Sequence, residues 1–243
     1  MPEQLWFTKI LNGMFAVPMT MLLRSLHIEP KYPNASISNS FSMEVLVFCF
    51  LLVLFLLVRS RLSADRPSAL QHMFEGVEGF IHGQSEEIIG HHSEGYTAFL
   101  ATLCFFILFC NLIGVIPGFE SPTALPIVPL GCALCAFVYY QVQGFKHAGI
   151  GYLKHFAGPM PALAPLMIPI ELISHLARVL SLTIRLFANM FAGDMVTLVF
   201  FSLVPLGVPI VFLGLHIGVS LLQTYIFVLL TTVYLQGAVS EEH

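Results

Sequence analysis

Two apolar stretches near the end of the chain are longer than a membrane crossing requires. From Ile170 to Val204 there is no proline and the apolar character never lapses, and Pro209 to Ala238 repeats the pattern. At about 1.5 Å per residue these are helices of roughly 50 and 45 Å. The hydrocarbon core they would cross is only about 30 Å thick. Two such helices either lean far beyond the usual tilt of about 20° or break partway. Gly193 is the natural break point of the first, but an uninterrupted polar stripe along that helix favours steep tilt.

The rest of the chain agrees with a polytopic membrane protein. Of 243 residues, 57% are hydrophobic and 10% charged, where a soluble domain carries about 25% charged residues. The mean hydropathy is +0.85. Twenty-two Phe against a single Trp suit a lipid-facing surface. The net charge of −4, with no basic cluster, argues against nucleic acid. The cysteines Cys49, Cys104, Cys110, Cys132 and Cys135 all fall in apolar runs. Cys132-Ala-Leu-Cys135 has the spacing of a redox or zinc motif, yet inside a membrane helix such residues behave as small apolar side chains. The start of the chain lacks the pattern of a cleaved secretory signal, so the first span is expected to direct insertion.

Residues 1–42 form an N-terminal unit. Leu5 to Ile28 mixes apolar patches with Lys9 and Arg24, is interrupted by Pro18, and reads as an amphipathic interfacial segment. The membrane domain, 43–243, opens with a span from Met43 to Val58. Asp65 to Gly95 is the extended polar region, where Leu70, Phe74, Val77, Phe80 and Ile81 recur at helical spacing and predict a surface-lying helix. Spans follow at Tyr96–Ile116 and about Leu125–Val142. With the two long helices, the expected fold is all-α with about five membrane helices, the last two a steeply tilted hairpin. Arg59, Arg61 and Arg66 follow the first span, and Lys146 and Lys154 the third, whereas the loops Gly118–Ala124 and Pro205–Pro209 have no basic residue. The positive-inside rule then puts the N-terminus outside and the C-terminus in the cytoplasm, although Lys9, Arg24 and Lys31 weaken the asymmetry.

The long helices carry the chemistry. With Glu171 at zero on a wheel of about 100° per residue, His175 falls at about 40°, Arg178 at about −20°, Arg185 at about −40° and Asn189 at about 0°. Asp194 falls roughly opposite Arg185. The next helix has a stripe of its own, His216, Ser220, Gln223 and Tyr234. An antiparallel hairpin brings Asn189 and Gln223 towards Arg185, and His216 near Asp194. Glu171, His175 and Arg178 suit a local salt-bridge network as well as a functional one. Arg185 is different: a guanidinium stays charged, and at mid-membrane costs at least about 2.5–3.5 kcal/mol. No acid lies three or four residues away, so its counter-charge must come from another helix or another chain. Asp194 and His216 read as proton stations, since chains of such groups lining a wet cavity make relays. Glu120 beside the outer loop is either a mouth for that path or an ordinary surface carboxylate. His91-His92-Ser93-Glu94 matches no common zinc protease motif, and no metal or other cofactor is expected. A secondary transporter would show internal repeats and paired broken helices, and an intramembrane protease a catalytic Ser/His pair, two Asp or a zinc motif. None of these is present at suitable spacing.

Leu182-Thr-Ile-Arg-Leu-Phe-Ala-Asn-Met-Phe-Ala-Gly-Asp194 closely resembles the signature of subunit a of the F-type ATP synthase. Pro169-Ile-Glu171, Asn111-Leu-Ile-Gly-Val-Ile-Pro117, the run from His216 through Gln223 to Val233-Tyr-Leu235, and the Ser-Glu-Glu-His ending are also similar to that family. The resemblance covers most of the chain from about Met43. It implies a non-catalytic stator subunit of the proton channel in a bacterial inner membrane. Its partners are then a ring of c subunits, the peripheral stalk subunit b, other synthase subunits, lipid and protons. Arg185 corresponds to the arginine that attracts each passing c-subunit carboxylate and blocks leakage between two offset aqueous half-channels. Asn189 and Gln223 match positions flanking it, and Asp194 and His216 match the acidic and histidine positions of the access path. The acidic position is more familiar as Glu or His. Asp is shorter by a methylene, so a bridging water to His216 is part of the expectation.

Overall fold

The computed structural model describes residues 5–25, 36–63, 68–90, 93–116, 118–149, 164–203 and 207–239. They form seven α-helices: α1 (Trp6–Ser25), α2 (Asn39–Ser60), α3 (Ala69–Ile89), α4 (Glu94–Leu112), α5 (Ile127–Ala148), α6 (Ala164–Leu203) and α7 (Val208–Val239), with short 3-10 turns at Ile113–Val115 and Pro122–Ala124. Helices are the expected solution here, because lipid offers no partner for backbone amides and each helix satisfies its own. Five of them, α2, α4, α5, α6 and α7, are long and apolar enough to cross a membrane.

Local chemistry sets the helix ends. Ser38 and Ser68 cap α2 and α3 by accepting hydrogen bonds from the amides of Phe41 and Gln71. Gly149 ends α5 with φ +56° and ψ −136°, a positive-φ backbone that a residue without a Cβ adopts most readily. Two prolines behave otherwise than expected. Pro18 lies inside α1 and does not interrupt it. Pro169 lies inside α6, which starts at Ala164, ahead of the expected Ile170. Both lie past the first four residues, whose amides lack intrahelical partners, so each forfeits one backbone hydrogen bond that its helix tolerates.

Aromatic packing joins the first half of the chain. Met43, Val47 and Leu51 of α2 cluster with Phe74 of α3 and with Phe105, Cys110 and Ile113 at α4 and its end. The expected helix in the polar region is α3. Phe74 and Ile81 carry its packing, whereas Leu70 and Phe80 are exposed. Its far end is tied to α7 by the Tyr225 hydroxyl donating to Gln84 Oε1 at 3.1 Å.

The second half is built on α7, which packs against α3, α4, α5 and α6. Asn111 of α4 is fully buried and donates to Thr224 Oγ1 of α7 at 3.2 Å. Its Oδ1 accepts from Thr123 Oγ1 at 2.7 Å, so one amide ties the loop between α4 and α5 to both helices. The threonines that α7 buries, Thr224, Thr231 and Thr232, donate to carbonyls one turn back, which leaves their hydroxyls satisfied.

Helix α6 packs antiparallel on α7, with Phe200 stacked on Phe212 at 4.2 Å near the turn. It is continuous over 40 residues. Its buried side chains Val179, Leu182, Leu186 and Met190 join α4, α5 and α7 in one cluster. The rest of its circumference is open: 11% of its most apolar stretch is buried, against 44% for α4.

Candidate functional site

The facing surfaces of α6 and α7 bring together most of the polar residues singled out in the sequence. Leu182, Leu186 and Met190 form the dry seam between the helices, so residues flanking that seam on α6 lie at its two edges. Asn189 lies at one edge, where its Nδ2 donates to Gln223 Oε1 at 2.7 Å. Asp194 lies at the other edge, with Oδ1 3.8 Å from His216 Nδ1. That is an ion-pair separation, too long for a direct hydrogen bond. Between the two pairs, Ser220 Oγ donates to Met190 Sδ at 3.7 Å.

Gly193 has a role the sequence reading missed. It was the place where a break would fall if there were one, and α6 runs straight through it, as the uninterrupted polar stripe led one to expect. A Cβ built at Gly193 would fall 2.5 Å from His216 Nδ1. The absent side chain is therefore the slot that lets the imidazole lie against the α6 backbone beside Asp194. The missing methylene of Asp194 is partly offset by the missing side chain next to it.

His216 and Gln223 are almost fully enclosed, at 4% and 2% exposure. Nε2 of each has no hydrogen-bond partner among the described residues. Leaving a buried polar atom unpaired costs about 1–3 kcal/mol. Two such atoms in one seam mark it as something other than a packing surface.

Arg185 lies on the same side of α6 as Asn189, turned away from the buried seam and exposed. Among the described residues no hydrogen bond or salt bridge reaches its guanidinium, and none of the acidic residues is its partner. The α6 surface around it is made of small exposed residues, Ala177, Ser181, Ala188 and Ala192. Small side chains are what allow a second membrane helix to approach closely.

Glu120, on the loop after α4, accepts from Asn39 Nδ2 at 3.3 Å and is near enough to Asp194 for their charges to interact. Glu171, His175 and Arg178 occupy the opposite half of α6. His175 Nε2 is 3.4 Å from Glu171 Oε1, and its Nδ1 is 3.4 Å from the hydroxyl of Tyr140 on α5. Arg178 lies over the Tyr234 ring, 5.3 Å from its centre. Glu171 and His175 are thus in contact, whereas Arg178 meets the Tyr234 ring and no ion pair joins it to either among the described residues. Tyr234 was already in the α7 stripe; nothing in the spacing of α5 pointed to Tyr140. Of the His91-His92-Ser93-Glu94 motif, the two histidines lie outside the described residues. Cys132 packs in the hydrophobic cluster between α4, α5 and α6, and Cys135 faces outward.

Residues 41–236 match the family model described as ATP synthase A chain. The chain is 56% identical to ATP synthase subunit a of Koribacter versatilis, over the whole of both chains. It is 61% identical to ATP synthase subunit a of Solibacter usitatus, over 85% of this chain and 89% of that one. With ATP synthase subunit a of Geobacter sp. strain M21 it shares 41% identity, over 82% of this chain and 89% of the relative. A bundle with five helices able to span a membrane, and matches that run nearly end to end, lead to one conclusion: the chain belongs to the ATP synthase A chain family and is a multi-pass, non-catalytic, proton-conducting subunit of a bacterial ATP synthase.

Proposed function

We propose that Arg185 is the fixed charge opposite which the carboxylates of a rotating c-ring pass. The observation that carries this reading is an exposed guanidinium inside a membrane helix, unpaired among the described residues and bordered by small side chains. A permanent charge in that position is too costly to be idle. A carboxylate on another chain supplies the missing partner, and only while it is ionised. Each ring site must then release its proton on one side of Arg185 and regain one on the other, which keeps two offset aqueous half-channels from short-circuiting.

Asp194 and His216 supply the station on one side, with Glu120 at its mouth. The unpaired Nε2 of His216 is available to a proton in transit, while Nδ1 faces Asp194. Asn189 and Gln223 hold each other beside Arg185, and the free Gln223 amide faces the same seam. The basic loops after the first and third spans favour a cytoplasmic C-terminus and an outside N-terminus. The Asp194 station then serves the outer half-channel of a bacterial inner membrane. The remaining partners are the peripheral stalk subunit b and the other synthase subunits.

Arg185→Ala is expected to abolish proton-driven ATP synthesis in membrane vesicles while the subunit still inserts, since the side chain is exposed and makes no hydrogen bond or ion pair among the described residues. Normal synthesis by that variant refutes the reading.

A further inference from the structure

The half of α6 before Arg185 holds a second set of titratable groups, and its geometry is that of a relay. Glu171 and His175 lie about 21 and 15 Å along the helix from Arg185, on the side away from Asp194. His175 is buried at 6% exposure, while the Glu171 side chain is part-exposed. The two ring nitrogens of His175 face different oxygens: Nε2 faces the Glu171 carboxylate and Nδ1 the buried Tyr140 hydroxyl, each at 3.4 Å. Phe137 packs edge-on to the imidazole at 6.0 Å and shields it. The groups facing the ring are Glu171 and, one turn on, Arg178 from α6, Tyr140 from α5, and Tyr234 from α7 behind Tyr140 at 6.2 Å. Arg178 is held over the Tyr234 ring.

A purely structural histidine needs one good partner. Here a carboxylate that reaches the surface and a phenol inside the bundle bracket the imidazole, forming a line from exterior to interior. We infer that His175 is a proton-exchange station for the half-channel on the N-terminal side of α6, with Glu171 as its outlet and Tyr140 as its inner contact. This deepens the reading of Arg185 above and rests on it. A proton arriving at Nδ1 makes the imidazolium. Loss of the Nε2 proton to the Glu171 carboxylate restores a neutral ring and forms a carboxylic acid, which discharges to the aqueous side. No electrons move; the ring is left as the Nδ1–H tautomer, and water must take that proton and return one to Nε2 before the next proton passes. An imidazole suits this work because its unperturbed pKa of about 6.5 lies near the working pH.

The test uses the whole synthase reconstituted in liposomes, with the pH of each compartment set independently. Proton-driven synthesis is divided by uncoupled hydrolysis at each pH, which removes the pH dependence of the catalytic part. His175→Gln keeps a polar side chain that cannot titrate. It is expected to slow synthesis by roughly tenfold near neutral pH and to flatten the dependence on the pH of the compartment facing the start of α6. His216→Gln should alter the dependence on the other compartment. Tyr140→Phe removes only the hydroxyl and should change the same limb as His175→Gln. A wild-type profile in His175→Gln, or a slowing uniform over pH, overturns the proposal. If His175→Gln does not assemble, unchanged profiles in both Tyr140→Phe and Glu171→Gln overturn it equally. Synthesis by Arg185→Ala in the same assay refutes the underlying reading, whatever His175 does.

Discussion

At the scale of single residues, what is absent matters as much as what is present. Gly193 works because it has no side chain: the His216 ring occupies the space a Cβ would take. Forcing one in displaces the imidazole or the helix, and overpacking of this kind costs about 1–3 kcal/mol. Gly193→Ala is therefore expected to lower ATP-driven proton pumping in vesicles several-fold. Gly214→Ala is the matched control, because a Cβ there meets nothing within 4 Å. The loss should be non-additive with His216→Ala, since both changes remove the same placement. Equal pumping by the two glycine variants would show that the slot is not needed. Arg185 shows the converse. Its environment offers no compensation within the described chain, and that lack is what directs attention to another chain.

At the scale of elements, the length of α6 is the informative quantity. Forty unbroken residues make a helix of about 60 Å, twice the hydrocarbon thickness of about 30 Å. With no break at Gly193, the surplus leaves a lean of roughly 60° from the membrane normal if the helix stays within the bilayer. Spin labels at the outward positions Leu172, Leu180, Phe191 and Leu198 provide the check, through depth measured by oxygen and nickel accessibility. Depth should change by about 0.75 Å per residue, half the helical rise. A gradient near the full rise of about 1.5 Å per residue would mean an upright helix protruding from the membrane, and the tilt would be wrong. The Asn111 network bears on the same question. It pins the loop between α4 and α5 to α4 and α7, and so holds Glu120 near Asp194 while α6 slants past.

At the scale of the whole molecule, burial is lopsided. The apolar clusters lie between α2, α3 and α4 and between α4, α5, α6 and α7, while none of the described residues covers the far side of α6. An open side with a charge at its centre and small residues around it suits a partner that slides past without locking. Single cysteines at Ala188 and Ala192 should therefore crosslink to the c subunit, and one at Leu56 on the exposed side of α2 should not. The five native cysteines must first be replaced, because Cys49 and Cys135 are exposed. Crosslinks from Leu56 alone would put the ring on a different face.

The sequence alone determined the membrane class, the five spans, and which residues share a face with Arg185. Those properties depend on run length and the 3.6-residue period, which are local. It also put Asp194 opposite Arg185, and the fold gives that separation a meaning: Asp194 meets α7 at one edge of the helix seam, while Arg185 is exposed on the side of the other edge, where Asn189 meets Gln223. What only the tertiary structure decided is the register across that seam. Asn189 and Asp194 are five residues apart, and their partners Gln223 and His216 seven apart in the reverse direction. Which turn faces which was set by Leu182, Leu186 and Met190 packing on α7 and by the gap at Gly193. No periodicity within one helix encodes that match. For the same reason Tyr140 was invisible beside His175: it comes from another helix, and only packing brings the phenol to the imidazole.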